Sequence, residues 1–196
     1  MKQKYTLRGL KYLTVTFFML ILYILLSNIF FLYSYANNII LPYQIVYIVM
    51  FISIITFFIG TFFLWKGRSE ITEKHTNNID KGLWLIIIFL VINTIFLLFL
   101  DKAITNSLSF FILNLMIMLA SFYLLKDISN NKIRVAIWIS IFLFVVFYPL
   151  ITIVMYYFQS DYYVNLYRLI LQILSLVIPY ILFTFCYYKA YKIIKK

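Results

Sequence analysis

The sequence predicts an all-α, polytopic membrane protein, built as a bundle of six transmembrane helices with both termini in the cytoplasm. Three observations carry this prediction. Hydrophobic residues make up 65% of the chain and charged residues 12%, whereas a soluble domain is about half apolar and about a quarter charged. The apolar residues fall into six continuous runs separated by short polar segments. The basic residues are concentrated in alternate connections between these runs.

Each apolar run is predicted to form one membrane span, because about 20 apolar residues in a helix cross the hydrocarbon core. The short connections between the runs leave no room for a second folding unit, so residues 1–196 are predicted to form a single integral membrane domain. The predicted helices cover residues 12–33, 43–65, 83–100, 108–125, 135–158 and 163–188.

The distribution of Lys and Arg predicts the orientation. Four precede the first run, four lie between the second and third, three between the fourth and fifth, and four form the tail, which makes 15 of the 17. The other two, Lys102 and Arg168, lie on the opposite side. Because cytoplasmic loops carry the excess of Lys and Arg, both termini are predicted to be cytoplasmic. The bias towards Ile, Phe, Tyr, Asn and Lys fits an AT-rich bacterial genome, and therefore a bacterial cytoplasmic membrane.

The net charge of +11 raises the question of an anionic partner. The basic residues flank the apolar runs, which is typical of anchors to anionic lipid head groups. The predicted partner is therefore the lipid bilayer and not nucleic acid.

The last apolar run contains a polar ladder of Asn165, Arg168, Gln172, Ser175 and Pro179. Steps of three and four residues place all five on one face of a helix. A helix surrounded by lipid gains nothing from such a stripe, whereas one that faces other helices or a wet cavity does. Asn165, Arg168, Gln172 and Ser175 are therefore the candidate ligand-binding residues.

Arg168 is one of very few charges inside an apolar run. It lies roughly 7 Å into the predicted helix, at 1.5 Å per residue. Its side chain is long enough to reach the outer head groups without any other role. Asp101 and Asp161 are the two acids on the same side, and they are its predicted ion-pair partners.

Pro149 and Pro179 lie near the middle of consecutive predicted helices. A proline removes one N–H and displaces the carbonyl four residues earlier, here at Val145 and Ser175. The two prolines are predicted hinges, or borders of a binding niche between the last two helices. The alternative is a static kink that only shapes the packing.

The other polar residues within the runs are predicted to form hydrogen bonds between helices. Ser107, Asn114 and Ser121 share one helical face, as do Thr16, Tyr23 and Ser27. With only four glycines in the chain, aromatic and polar pairs are expected to set the helix interfaces instead of close small-residue contacts.

The sequence contains no motif that predicts catalysis, a cofactor or a metal site. The single histidine, His75, falls in the polar segment 66–82 and is predicted to be a solvated loop residue. The single cysteine, Cys186, excludes an intrachain disulfide and a cysteine-based metal site.

Two functions remain open. The first is a non-catalytic, permease-like or accessory subunit that handles a small hydrophobic, peptide or lipid-like ligand, together with a separate ATPase or another membrane subunit. This expectation rests on the layout of six helices with cytoplasmic termini. The alternative is a membrane interaction protein, such as a bacteriocin self-immunity factor or a signal-receiving membrane domain.

Overall fold

The computed structural model of the protein describes residues 3–37, 44–71, 73–99, 102–157 and 170–195. These ranges contain no strand. They form six helices, namely α1 (Lys4–Asn37), α2 (Gln44–Lys66), α3 (Glu73–Phe99), α4 (Lys102–Leu125), α5 (Asn131–Tyr157) and α6 (Ile170–Lys195).

The helices have the length and composition of membrane spans. Four segments are long and apolar enough to cross a bilayer, and Phe111–Leu125 is a shorter apolar helix. The prediction of an all-helical chain with apolar helices of membrane-spanning length is therefore confirmed, while the six-span count and the orientation stay predictions. The four segments are Lys4–Phe30, Gln44–Lys66, Asn131–Ile151 and Ile170–Lys195.

The helices follow one another around the bundle in the order α2, α1, α6, α5, α4, α3. Helix α1 packs along both α2 and α6, and α5 packs against both α6 and α4. Helix α3 packs on α4, but it has far less contact with α2. The bundle is consequently tight around α1 and α6 and loose between α2 and α3.

Stacked aromatic rings fill the centre of the bundle, as expected from the sequence. The ring of Phe17 in α1 lies 5.1 Å from that of Phe183 and 5.4 Å from that of Tyr187, both in α6. All three residues are fully buried. Offset aromatic pairs of this kind stabilise a core beyond the area that they bury.

Glycines nevertheless allow a close contact between α1 and α2, so the expectation that aromatic and polar pairs replace close small-residue contacts was wrong for this interface. A Cβ atom added to Gly9 would lie 2.7 Å from Cγ and 2.8 Å from the backbone nitrogen of Leu64. Gly60 of α2 makes the reciprocal approach to Leu13 of α1, at 2.8 Å. Two glycines at facing positions are enough to bring α1 and α2 together, and a count of glycines does not reveal that placement.

His75 is buried, which contradicts the prediction of a solvated loop residue. Helix α3 begins at Glu73, so His75 lies in its first turn and is 0% exposed. Its Nδ1 is 3.6 Å from Oδ2 of Asp127, which belongs to the turn between α4 and α5. Asn78 donates a 2.6 Å hydrogen bond to the same oxygen. The prediction failed because the polar segment continues as helix and packs on a neighbouring turn.

Candidate ligand-binding site

A cavity of about 350 Å³ lies between α1, α2 and α4. Apolar side chains of these three helices form most of its wall, while Ile86 of α3 and Tyr180 of α6 complete it. Pockets that bind small molecules occupy about 300–1,000 Å³ and combine an apolar wall with a few polar groups. This cavity is therefore at the small end of the range for a ligand site.

Five polar residues contribute to the cavity wall. They come from four different helices, so the cavity is polar at several points of an otherwise apolar surface. Among the described residues, the wall includes no acidic, basic or histidine side chain. The five residues are Thr16, Tyr23, Ser53, Asn114 and Tyr180.

Two hydroxyl groups of the wall are held by the helices that carry them. Oγ1 of Thr16 lies 3.0 Å from the carbonyl oxygen of Tyr12 and 3.0 Å from Oγ1 of Thr56, across the α1–α2 contact. Oγ of Ser53 donates to the carbonyl oxygen of Met50 at 2.6 Å. Thr16 and Ser53 are each only 1% exposed, so their positions in the wall are well defined.

The phenol of Tyr180 donates a hydrogen bond to Oδ1 of Asn114 and thereby joins α6 to α4. Both side chains are 2% exposed. Together with the Thr16–Thr56 contact, this bond confirms the prediction that Asn114 and Thr16 form hydrogen bonds between helices. A pair of polar side chains at an apolar interface fixes the relative position of two helices, because neither group has water as an alternative partner.

The cavity is open on the side of α2. Three of its wall residues, Met50, Ile54 and Phe58, are 39%, 41% and 50% exposed. The wall residue contributed by α3 is Ile86, and α3 has little contact with α2. An apolar molecule would reach the cavity from this side.

The predicted polar stripe is only partly within the described structure. Asn165 and Arg168, and the proposed partners Asp101 and Asp161, lie outside the described residues. Ser175 is buried and Gln172 is half-buried, and in the described part of the chain neither Ser175 Oγ nor Gln172 Oε1 has a hydrogen-bond partner. Neither residue is part of the cavity wall, so the role of the stripe stays a prediction.

The two prolines occupy different environments. Residues Ile173–Val177 of α6 form a π-helical turn, in which the N–H of Ile178 donates to the carbonyl oxygen of Ile173. Pro179 lies two residues after this turn and is buried, whereas Pro149 lies on the exposed face of α5. A π turn accommodates the missing N–H of a proline, and such turns are frequent at functional sites. Tyr180, the next residue, belongs to the cavity wall.

Sequence reasoning missed this cavity, although it identified several of its polar residues. Thr16, Tyr23 and Asn114 attracted attention by their spacing, but Ser53 and Tyr180 did not. Helical periodicity shows which residues share a face, but it does not show which two faces meet.

Comparison of the chain with protein-family models, with curated proteins and with solved structures finds no match in any of the three.

Proposed function

We propose that the chain is a non-catalytic integral membrane protein of a bacterial cytoplasmic membrane that holds a small hydrophobic or lipid-like ligand between its helices. In this proposal six helices span the membrane, and both termini are cytoplasmic. The chain acts as a permease-like or accessory subunit. Its energy source, where transport requires one, is a separate ATPase chain.

The cavity between α1, α2 and α4 is the observation that carries this proposal. Its wall is mainly apolar, its volume of about 350 Å³ suits a small molecule, and its open side contains three partly exposed apolar residues of α2. A ligand that dissolves in the bilayer would enter from this side without crossing water. A water-soluble, charged ligand would lose its hydration with no described charge to compensate it.

Photolabelling with an alkyl diazirine tests this proposal, because such a probe inserts into whatever protein surface it contacts. The full chain is labelled in lipid nanodiscs, and the modified peptides are identified by mass spectrometry. We expect saturable labelling in Met50–Phe58 of α2 and in Leu113–Ile117 of α4, both of which contribute to the wall.

Two tryptophan variants make the experiment selective. Ile117→Trp places a large ring in the cavity wall and should abolish the saturable labelling. Phe142→Trp is the matched control, since Phe142 is 64% exposed on α5, and it should leave the labelling unchanged. Labelling spread evenly over the exposed apolar surface would contradict the proposal and favour the alternative of an interaction protein, such as an immunity factor.

A further inference from the structure

The hydroxyl protons in the cavity wall are already used within the protein. The proton of Ser53 goes to the carbonyl of Met50, and that of Tyr180 goes to Oδ1 of Asn114. Thr16 has two acceptors within 3.0 Å, the carbonyl oxygen of Tyr12 and Oγ1 of Thr56. Three of the four hydroxyl groups in the wall therefore donate to protein atoms.

The hydrogen-bonding capacity that remains at these three groups is that of an acceptor. A hydroxyl group carries one donor and two acceptor lone pairs, so it still accepts a hydrogen bond after it has donated its proton. Tyr23 contributes the fourth hydroxyl of the wall, and a phenol both donates and accepts. A ligand group that donates a hydrogen bond thus finds several acceptors among these hydroxyl groups.

The absence of charge from the described wall restricts the ligand further. A carboxylate or phosphate in the cavity would be taken out of water beside no described Lys, Arg or His. Burial of an unpaired charge is strongly unfavourable, and the ligand would bind in its neutral form or not at all.

From these observations we propose that the cavity binds an uncharged amphiphile with one alkyl chain or a small ring system and a hydroxyl group that donates to Ser53 or Thr16. This inference rests on the proposed function and specifies its ligand class. The volume of about 350 Å³ is too small for a phospholipid with two acyl chains but suits a single chain. The open side at α2 admits the molecule from the bilayer.

Fluorescence quenching by brominated probes tests the ligand class. Three probes of equal chain length are compared: a bromoalkanol, its methyl ether and the corresponding carboxylate. The full chain carries Trp65→Phe, Trp84→Phe and Trp138→Phe, because those three exposed tryptophans are the only ones in the sequence. A single reporter, Phe58→Trp, is then introduced at the open side of the cavity.

Phe62→Trp is the matched control reporter. Phe62 lies one turn further along α2 and is 53% exposed against 50% for Phe58, but it is not part of the cavity wall. Both reporters detect probe dissolved in the nanodisc lipid, and this contribution rises without saturation. Only the Phe58→Trp reporter should show an additional, saturable component.

We expect the alcohol to bind roughly 3- to 10-fold more tightly than its methyl ether, because the alcohol gains one buried hydrogen bond. The carboxylate should show no saturable binding at pH 7. Ser53→Ala combined with Thr16→Val should reduce the preference for the alcohol over the ether. Ser53→Ala is a mild change for the fold, since the hydroxyl bonds only to its own helix.

Two results would overturn the inference in distinguishable ways. Saturable binding of all three probes with equal affinity would refute the hydroxyl-donor class while the proposed function stands. No saturable quenching by any probe at the Phe58→Trp reporter would refute both.

Discussion

The carboxylate of Glu70 lies at the N-terminus of α1, where it accepts hydrogen bonds of 2.9 Å from both the backbone N–H and the hydroxyl of Thr6. The N–H of Tyr5 donates to the other carboxylate oxygen at 3.1 Å. Helix α1 has no acidic residue in its own first turn. Glu70, from the connection after α2, therefore supplies both the acceptors and the negative charge that a helix N-terminus favours.

Replacement of Glu70 by Ala should lower the free energy of unfolding by about 1–2 kcal/mol, the typical loss for a helix N-cap. The unfolding transition in detergent measures this change. Asp80→Ala is the matched control in the same polar segment. The ion pair of Asp80 with Arg68 is 4.0 Å long, and both side chains are more than a third exposed, so the control should change stability by less than about 0.5 kcal/mol. Equal losses in the two variants would contradict the capping role.

His75 predicts a pH dependence of stability. Burial lowers the pKa of His75 below its ordinary value of 6.5, and the neighbouring Asp127 partly opposes this shift. As the pH falls through 6.5, the unfolded chain takes up a proton that the folded protein takes up only at lower pH. The unfolded state then binds more protons, so the free energy of unfolding decreases until the pH reaches the folded-state pKa.

His75→Gln should remove this part of the pH dependence, as measured by unfolding between pH 7.5 and 5. Asp127 is the charged group that faces His75 from the α4–α5 turn, and it is unchanged in this variant. Since the chain has only one histidine, no second imidazole obscures the result. An unchanged slope in His75→Gln would show that another group is responsible.

Pro179 and Pro149 should respond differently to replacement by Ala. Pro179→Ala restores an N–H next to the π turn and should convert Ile173–Val177 towards regular α-helix, which displaces Tyr180 from the cavity wall. We expect the affinity for the bromoalkanol probe to fall several-fold while membrane insertion is unchanged. Pro149→Ala, on the exposed face of α5, should have a smaller effect. If the double variant Pro149→Ala and Pro179→Ala binds the probe with wild-type affinity, the two prolines affect only helix packing and not the cavity.

Arg168 is expected to form an ion pair with Asp101 or Asp161, although all three lie outside the described residues. A charge near mid-membrane costs about 2–3 kcal/mol, and less towards the interface. Arg168→Leu should therefore destabilise the protein, because the partner acid would keep its charge without a counter-charge. A second substitution, Asp161→Asn or Asp101→Asn, should recover part of the lost stability. Arg168→Lys retains the charge but loses the planar geometry. If Arg168→Lys leaves the stability nearly unchanged and Arg168→Leu lowers it only slightly, Arg168 only reaches the head groups and forms no ion pair.

The orientation is tested by cysteine labelling of intact cells with a membrane-impermeant thiol reagent. Asn38→Cys and Ser160→Cys, in the predicted outer connections outside the described residues, should react. Ser69→Cys and Asn130→Cys, at exposed positions of the predicted cytoplasmic side, should react only after the membrane is opened. The native Cys186 is buried and should give little background. Reaction of Ser69→Cys from outside would reverse the orientation and invalidate the six-span count.

The amino-acid sequence by itself determined the class of fold. Continuous apolar runs of about 20 residues lead to membrane-length helices, because a helix satisfies its own backbone hydrogen bonds without water. The spacing of Thr16 and Asn114 also placed them correctly at helix interfaces. These properties are local, since they depend on chain length, composition and periodicity within one helix.

Only the tertiary structure decided which residues meet. Glu70 caps a helix that begins 66 positions earlier at Lys4, Tyr180 bonds to Asn114 across 66 positions, and His75 is buried against Asp127. A soluble helix reveals its buried face by its amphipathic pattern, whereas these helices are apolar almost all round and have no such pattern to orient them. Their orientation depends on close helix contacts at glycines, on aromatic stacking and on polar pairs between helices. Each of these contacts requires two segments that are remote in the sequence.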